Sequence, residues 1–184
     1  MRKIALLSLL VLAGCGAEHD LMPMAVGKKW TYTVDANFNS YNTEVRVSQK
    51  TGVAGVEGYV LTGPMGESRL AWKGDELVAE RLINSRFEPA IPLAVENVSR
   101  VKRTWKGQLM GLWGKAEGTA TLEQGPAEEQ LGGRTVKVTK SVLTVISPNQ
   151  TIKLQTMFQD GAGIATQRQW INGNLILKIE RLSG

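Results

Sequence analysis

The sequence predicts a mainly β domain, built as an antiparallel curved sheet that forms an open half-barrel or a sandwich, with at most one short helix. Three observations point there. Apolar and polar residues alternate with a period of two, as in Thr43–Ser48, where Val45 and Val47 share one face and Glu44, Arg46 and Ser48 the other. Turn chemistry recurs at intervals of about eight to twelve residues, and 20 of the 184 residues are glycine, above the usual ~7 %. No long stretch carries a 3.6-residue apolar period.

Element by element, Trp30–Val34 is a β-rich run, followed by a turn-prone stretch around Asn37, Asn39, Ser40 and Asn42. Val56–Thr62, Glu67–Trp72 and Glu76–Ile83 read as short strands divided by Gly63-Pro64 and Gly74-Asp75. Residues 84–97 read as an irregular connection interrupted by Pro89 and Pro92, with one helical turn at Leu93–Asn97. Val98–Leu112 and Gly118–Gln124 return to strand, and Pro126–Gly133 is acidic, with Glu128, Glu129 and a Gly132-Gly133 turn. Arg134–Ile146 is the longest strand candidate, Pro148-Asn149 a turn, and Thr151–Phe158 the next strand. The end is the clearest hairpin: Ile164–Ile171, Asn172-Gly173, Leu175–Leu182.

The first fifteen residues have a different character. Arg2 and Lys3 precede an apolar run, Ile4–Ala13, broken only by Ser8. That run is too short to cross roughly 30 Å of hydrocarbon, which takes about 20 helical residues, and it fits a signal peptide instead. It ends in Leu12-Ala13-Gly14-Cys15, which resembles the lipobox of bacterial lipoproteins. The resemblance implies a diacylglyceryl group on the Cys15 thiol and cleavage just before it. Residues 1–14 are then a removed signal, 15–22 the lipidated cysteine and a short tether, and 23–184 a single β domain. The alternative is an ordinary secretory signal with a chance cysteine. Against it, Cys15 is the only cysteine, and an unpaired thiol is a liability in an oxidising compartment. Two acyl chains supply the two signals that stable anchoring requires. Gly16, rather than Asp, follows Cys15. By analogy with enterobacterial sorting, this implies the outer membrane, facing the periplasm, if the host is Gram-negative.

Composition removes several functions from consideration. Arg2 and Lys3 account for two of the five net positive charges, so the exported chain is only mildly basic and no nucleic-acid partner is expected. With one histidine, His19, and no cysteine beyond Cys15, a His/Cys metal site, a Ser-His-Asp triad and internal disulfides are not expected in the β domain. The acids Glu44, Asp75, Glu76, Glu80, Glu117 and Asp160 show no spacing that pairs them for acid–base work. Neither catalysis nor a cofactor is expected.

Pro23–Tyr32 resembles the opening of a group of uncharacterised bacterial lipoproteins that begin P-L-x-x-G-x-x-W-x-Y, with Met24 in place of leucine. Trp105-Lys106-Gly107 resembles that group's middle strand. Asp160–Ile164 resembles its late G-x-G turn, with Ala162 where valine is common. This resemblance implies a β fold and an envelope location but no activity. The curved-sheet, half-barrel lipoproteins that carry lipid-modified cargo are a fold-level analogy.

Trp30 and Tyr32 share a strand face, as core or as the lining of a ligand groove. Trp72, Trp105, Trp113 and Trp170 line an apolar cavity in one reading and fill a β core in the other. Arg100, Lys102 and Lys106 lie on one face of a strand, as a contact for anionic headgroups or as a solvated face that discourages edge pairing. Gly161 and Gly163 form an anion cradle in one reading and a tight turn in the other. The expected function is a membrane-anchored, non-catalytic binding module for a lipid, an apolar ligand or an envelope partner. Its alternative is a structural or assembly component of an envelope protein complex.

Overall fold

Alternation along the first strand sets the inside and outside of the whole molecule. In β1 (Lys29–Ala36), Trp30, Tyr32 and Val34 are buried while Lys29, Thr31 and Asp35 are exposed. The computed structural model describes residues 19–182 apart from 37–38, 84 and 112–113. Cys15 and Trp113 therefore lie outside the described residues.

Eleven more strands follow: β2 (Asn39–Val53), β3 (Val56–Gly63), β4 (Gly66–Lys73), β5 (Glu76–Leu82), β6 (Ser85–Val95), β7 (Val101–Gly111), β8 (Gly114–Leu131), β9 (Arg134–Ser147), β10 (Gln150–Gln159), β11 (Gly163–Ile171) and β12 (Asn174–Arg181). Each pairs antiparallel with its sequence neighbour, and β1 pairs with β12 from Tyr32↔Arg181 to Ala36↔Leu177. The sheet is thus a closed barrel, not the open half-barrel or sandwich that the sequence predicts. Strand pattern and turn chemistry are local, whereas closure depends on accumulated twist and on the free edges of β1 and β12 matching. The Asn172-Gly173 hairpin turn has positive φ at both residues, 50° and 85°, as a type I′ turn requires.

One seam of the barrel is only partly paired. β6 and β7 pair only at Arg86↔Met110, Phe87↔Leu109 and Glu88↔Gln108. Past Pro89 the backbone of β6 is held by side chains of the facing wall. Trp105 Nε1 donates to Pro89 O (2.9 Å), and Ser141 Oγ donates to Leu93 O (2.5 Å). The Gln124 amide accepts from Val95 N (2.8 Å) and donates to Val95 O (2.7 Å) and Val98 O (3.2 Å). On its other edge β6 pairs with β5, from Ala79↔Ile91 to Glu76↔Val95, so these bonds serve the edge that β7 leaves unpaired. Residues 84–97 are therefore not an irregular connection. Nor is Leu93–Asn97 a helical turn: the strand runs to Val95 and a turn follows at Glu96-Asn97.

Close approach at the seam needs Gly107, where a Cβ would stand 2.4 Å from Glu88 O and 2.6 Å from the Trp105 ring. Gly107→Ala is expected to cost about 2 kcal/mol, within the usual range for overpacking. Urea unfolding checks it, and an unchanged midpoint would contradict the close contact.

The strand alternation carries β8 through the acidic stretch, so Pro126–Leu131 is strand, and the turn falls at Gly132-Gly133 as expected. This extension has its own apolar support. Ala127, Leu131 and Val136 pack on Val138, Met157 and Ala165, and Glu129 accepts from Thr166 Oγ1 (3.2 Å) and the Arg168 guanidinium (3.4 Å).

One end of the barrel, the base, carries the turns at 54–55, 74–75, 96–100, 132–133 and 160–162. The other end carries those at 64–65, 148–149 and 172–173, and the turn residue Ile83. The main core, including Val34, Leu70, Leu77, Ile91, Leu122 and Phe158, sits between the walls toward the base.

Candidate functional site

Twelve strands enclose more room than their own side chains fill, and the surplus is a cavity of about 810 Å³ that opens at the end opposite the base. That places it toward the upper part of the roughly 300–1,000 Å³ range of ligand sites. Its walls come from the inward positions of many strands, among them Leu61, Leu109, Leu143, Val145, Ile152 and Leu154. Met22, Trp30 and Phe158 lie at its base-side end, and Pro64, Met65, Ile83, Asn149 and Asn172 surround the mouth. Among the described residues, none lining the cavity is charged; its polar groups are hydroxyls and amides such as Ser68, Ser147, Gln150, Gln167 and Gln169. Some of these are already engaged: Gln167 Nε2 donates to Thr156 Oγ1 (2.9 Å), and Ser147 Oγ donates to Gln150 O (3.1 Å).

Tyr32 is the one lining residue with a resolved titration shift. Burial pushes its phenol well above the ordinary tyrosine value, the Arg181 guanidinium partly opposing this. The phenol therefore stays neutral and donates to Ile164 O (3.3 Å). Its cross-strand partner Thr43 is also buried, and the Thr43 hydroxyl has no hydrogen-bond partner among the described residues. Replacing an unsatisfied buried hydroxyl by an isosteric methyl relieves desolvation. Thr43→Val is thus expected to stabilise the barrel by about 1 kcal/mol, read as a higher urea midpoint.

The outer wall has the opposite chemistry. On β8, Lys115, Glu117, Thr119 and Glu123 point out and are exposed, while Ala120, Leu122 and Gln124 are buried. A membrane-spanning barrel would instead present an apolar band outward. This barrel has an apolar interior and a charged exterior.

The base is plugged by residues 19–22. Leu21 and Met22 are buried, Leu21 N donates to Glu96 Oε1 (2.9 Å), and Trp72 Nε1 donates to Met22 O (3.1 Å). His19 stacks on Trp72 with ring centroids 4.1 Å apart and meets Glu96 Oε2 at 2.6 Å. Gly161 N donates to Asp20 O (2.8 Å), so a backbone amide of the glycine turn serves the N-terminal segment rather than an anion. The tether expected over 15–22 is docked across its last four residues. The sequence signal was present in the apolar Leu21-Met22 pair, but its receptor is assembled from the end of β4 and two distant turns.

The aromatic residues separate. Trp30 and Tyr32 line the cavity, with Trp30 Nε1 donating to Ala162 O (2.8 Å). Trp72 stands over Met22 at the base, and Trp105 is buried at the seam with its ring edge against Phe87, centroids 6.0 Å apart. Trp170 does not line the cavity; Lys153 Nζ lies 5.1 Å from its ring. Arg100, just before β7, and Lys102 and Lys106 along it are exposed, and Lys102 pairs with Glu123 at 3.1 Å. The alternating Ile152, Leu154, Thr156 and Phe158 of β10, which do line the cavity, were visible in the sequence only as an ordinary strand face. Among the described residues, no group of three His, Cys, Asp or Glu side chains could hold a metal ion. No described helix is long and apolar enough to cross a membrane.

No protein-family model matches the chain, and no curated protein sequence does. Solved structures do resemble it. A Bacteroides fragilis protein named for export and for its YmcC-like fold superposes with a TM-score of 0.52 at 11 % identity, over 89 % of this chain and 97 % of that one. A Parabacteroides distasonis protein named as a lipoprotein gives 0.50 at 10 % identity, over 89 % and 97 %. The likeness is one of fold. It spans nearly all of both neighbours.

Proposed function

We propose that this chain is a lipid-anchored lipoprotein of the bacterial cell envelope, held through Cys15, whose barrel binds an uncharged apolar chain such as the acyl tail of a lipid. The observation that carries this reading is the cavity itself: about 810 Å³, open at one end, with no charged lining residue among those described. Burying an ionised group in such a site costs several kcal/mol without a partner, so the part of the ligand inside is neutral. The hydroxyls and amides near the mouth, Ser147, Asn149, Gln150 and Asn172, suit the polar end of an amphiphile. The rival reading, a docking component of an envelope complex, calls for a filled interior and one continuous exposed apolar patch. Among the described residues, the exposed large apolar side chains are Val26, Tyr41, Val98, Ile146, Leu175 and Leu182. Val98 lies in the connection after β6, while Ile146 on β9 and Leu175 on β12 belong to strands that are not neighbours in the barrel. The outer membrane, with the domain in the periplasm, is the proposed destination, on the strength of Gly16 beside Cys15.

Native mass spectrometry of residues 16–184, exported without the anchor and never exposed to detergent, tests the binding role. This span keeps the plug residues that a shorter chain would remove. A stoichiometric extra mass that extracts into organic solvent is the expected result. A bare chain that also fails to take up a fluorescent acyl probe would overturn it. The anchor is tested separately: Cys15→Ser should accumulate as an uncleaved, unacylated precursor, detected by its mass.

A further inference from the structure

The plug and the mouth lie at opposite ends of the barrel, and this has a consequence if the anchor reading above holds, on which the inference rests. His19–Met22 is fixed to the base by hydrogen bonds to Glu96, Trp72 and Gly161 and by the His19–Trp72 stack. The cavity opens among the turns at the far end, beside Pro64, Ile83, Asn149 and Asn172. We infer that the cavity mouth is held facing away from the bilayer that carries Cys15, so that its apolar ligand is exchanged from the aqueous side and not drawn directly from the anchoring membrane.

Lengths decide the matter. From Cys15 to the docked His19 is four residues of chain, which reach at most about 14 Å. An eight-residue strand such as β1 rises about 27 Å along its own axis. Tilted as barrel strands are, by 35–45°, it stands about 20 Å tall. Bringing the mouth down onto the bilayer would require the leash to run the full height of the barrel from its base, and it is too short. A docked plug cannot lengthen it without losing the buried Leu21 and Met22. The exposed cations Arg100 and Lys102 lie at the base-side end of β7, where this orientation sets them toward the headgroups.

The test uses the full acylated chain in phosphatidylcholine vesicles containing a headgroup-linked quencher. Because acylation consumes the only native thiol, an introduced cysteine is the one site that takes a dye. Asp75→Cys places it on an exposed base turn, and Asn149→Cys places it at the exposed mouth. Severalfold stronger quenching at residue 75 than at residue 149 is expected. Equal quenching, or stronger quenching at 149, would overturn the orientation while leaving the anchor intact. A chain that carries no acyl group and does not float with the vesicles overturns the anchor reading and the orientation together, and flotation distinguishes that case before any dye is read.

Discussion

Ala116→Trp and Leu154→Trp are each expected to weaken binding of a neutral fluorescent acyl probe by tenfold or more while leaving the barrel folded. Both positions line the cavity and neither is fully buried, so an indole there occupies ligand space instead of crowding the core. Each methylene kept out of an apolar site loses about 0.8 kcal/mol. Excluding only two of them costs about 1.6 kcal/mol, slightly more than a factor of ten in affinity. Trp170→Ala is the matched control. Trp170 lies outside the set of lining residues, so its removal should leave probe binding unchanged, even though it belongs to the aromatic set that the sequence alone nominates. Probe titration of the three variants, with thermal melts to confirm folding, reads the result. If Trp170→Ala reduced binding and the two blocked variants did not, the ligand would lie outside the barrel.

Gln124→Leu is expected to be the most damaging single substitution for stability. Its amide satisfies both backbone groups of Val95, a residue only 6 % exposed, and reaches Val98 O as well. Leucine of similar volume would leave the Val95 N–H and C=O buried without partners, at about 1–3 kcal/mol each. A loss of about 4 kcal/mol is a large part of the 5–15 kcal/mol that holds a typical domain together. It would lower the melting temperature by about 10 °C for a chain of this size. Gln124→Glu keeps an acceptor for Val95 N and loses the donors, so an intermediate loss is expected. A loss under about 1 kcal/mol for Gln124→Leu would mean that water reaches the seam.

These two predictions mark where the sequence was readable and where it was not. The inward face of β1, the Asn172-Gly173 hairpin and the strand limits around Gly63-Pro64 and Gly74-Asp75 were legible because each depends on residues close in the chain. β6 was not legible. Its extended path beyond Pro89 is held by pairing with β5 on one edge and by Trp105, Gln124 and Ser141, side chains from three later strands, on the other, and prolines in isolation argue for a loop. Gln124 itself stood out only as a polar residue where the alternation of Ala120 and Leu122 calls for an apolar one. The plug was missed for a similar reason. His19 and Asp20 read as polar linker, and only the folded base supplies Trp72, Glu96 and Gly161 to receive them. Aromatic residues were a poor guide to the cavity, because a tryptophan serves equally well as lining, as seam filler and as outer wall. Trp30, Trp105 and Trp170 take those three places.

The pairing of β1 with β12 also constrains how the chain acquires its structure. A chain crossing a membrane from its N-terminus delivers β1 first and β12 last, and every strand between can pair with its predecessor on arrival. Throughout that interval the growing sheet keeps two open edges and an uncovered apolar face, the state most prone to pairing with a neighbouring molecule. Contacts as remote in sequence as Tyr32 with Arg181 are formed slowly, so the final step is both the slowest to arrange and the one that removes the hazard. Truncations within β12 should therefore yield aggregation-prone chains rather than slightly shortened barrels.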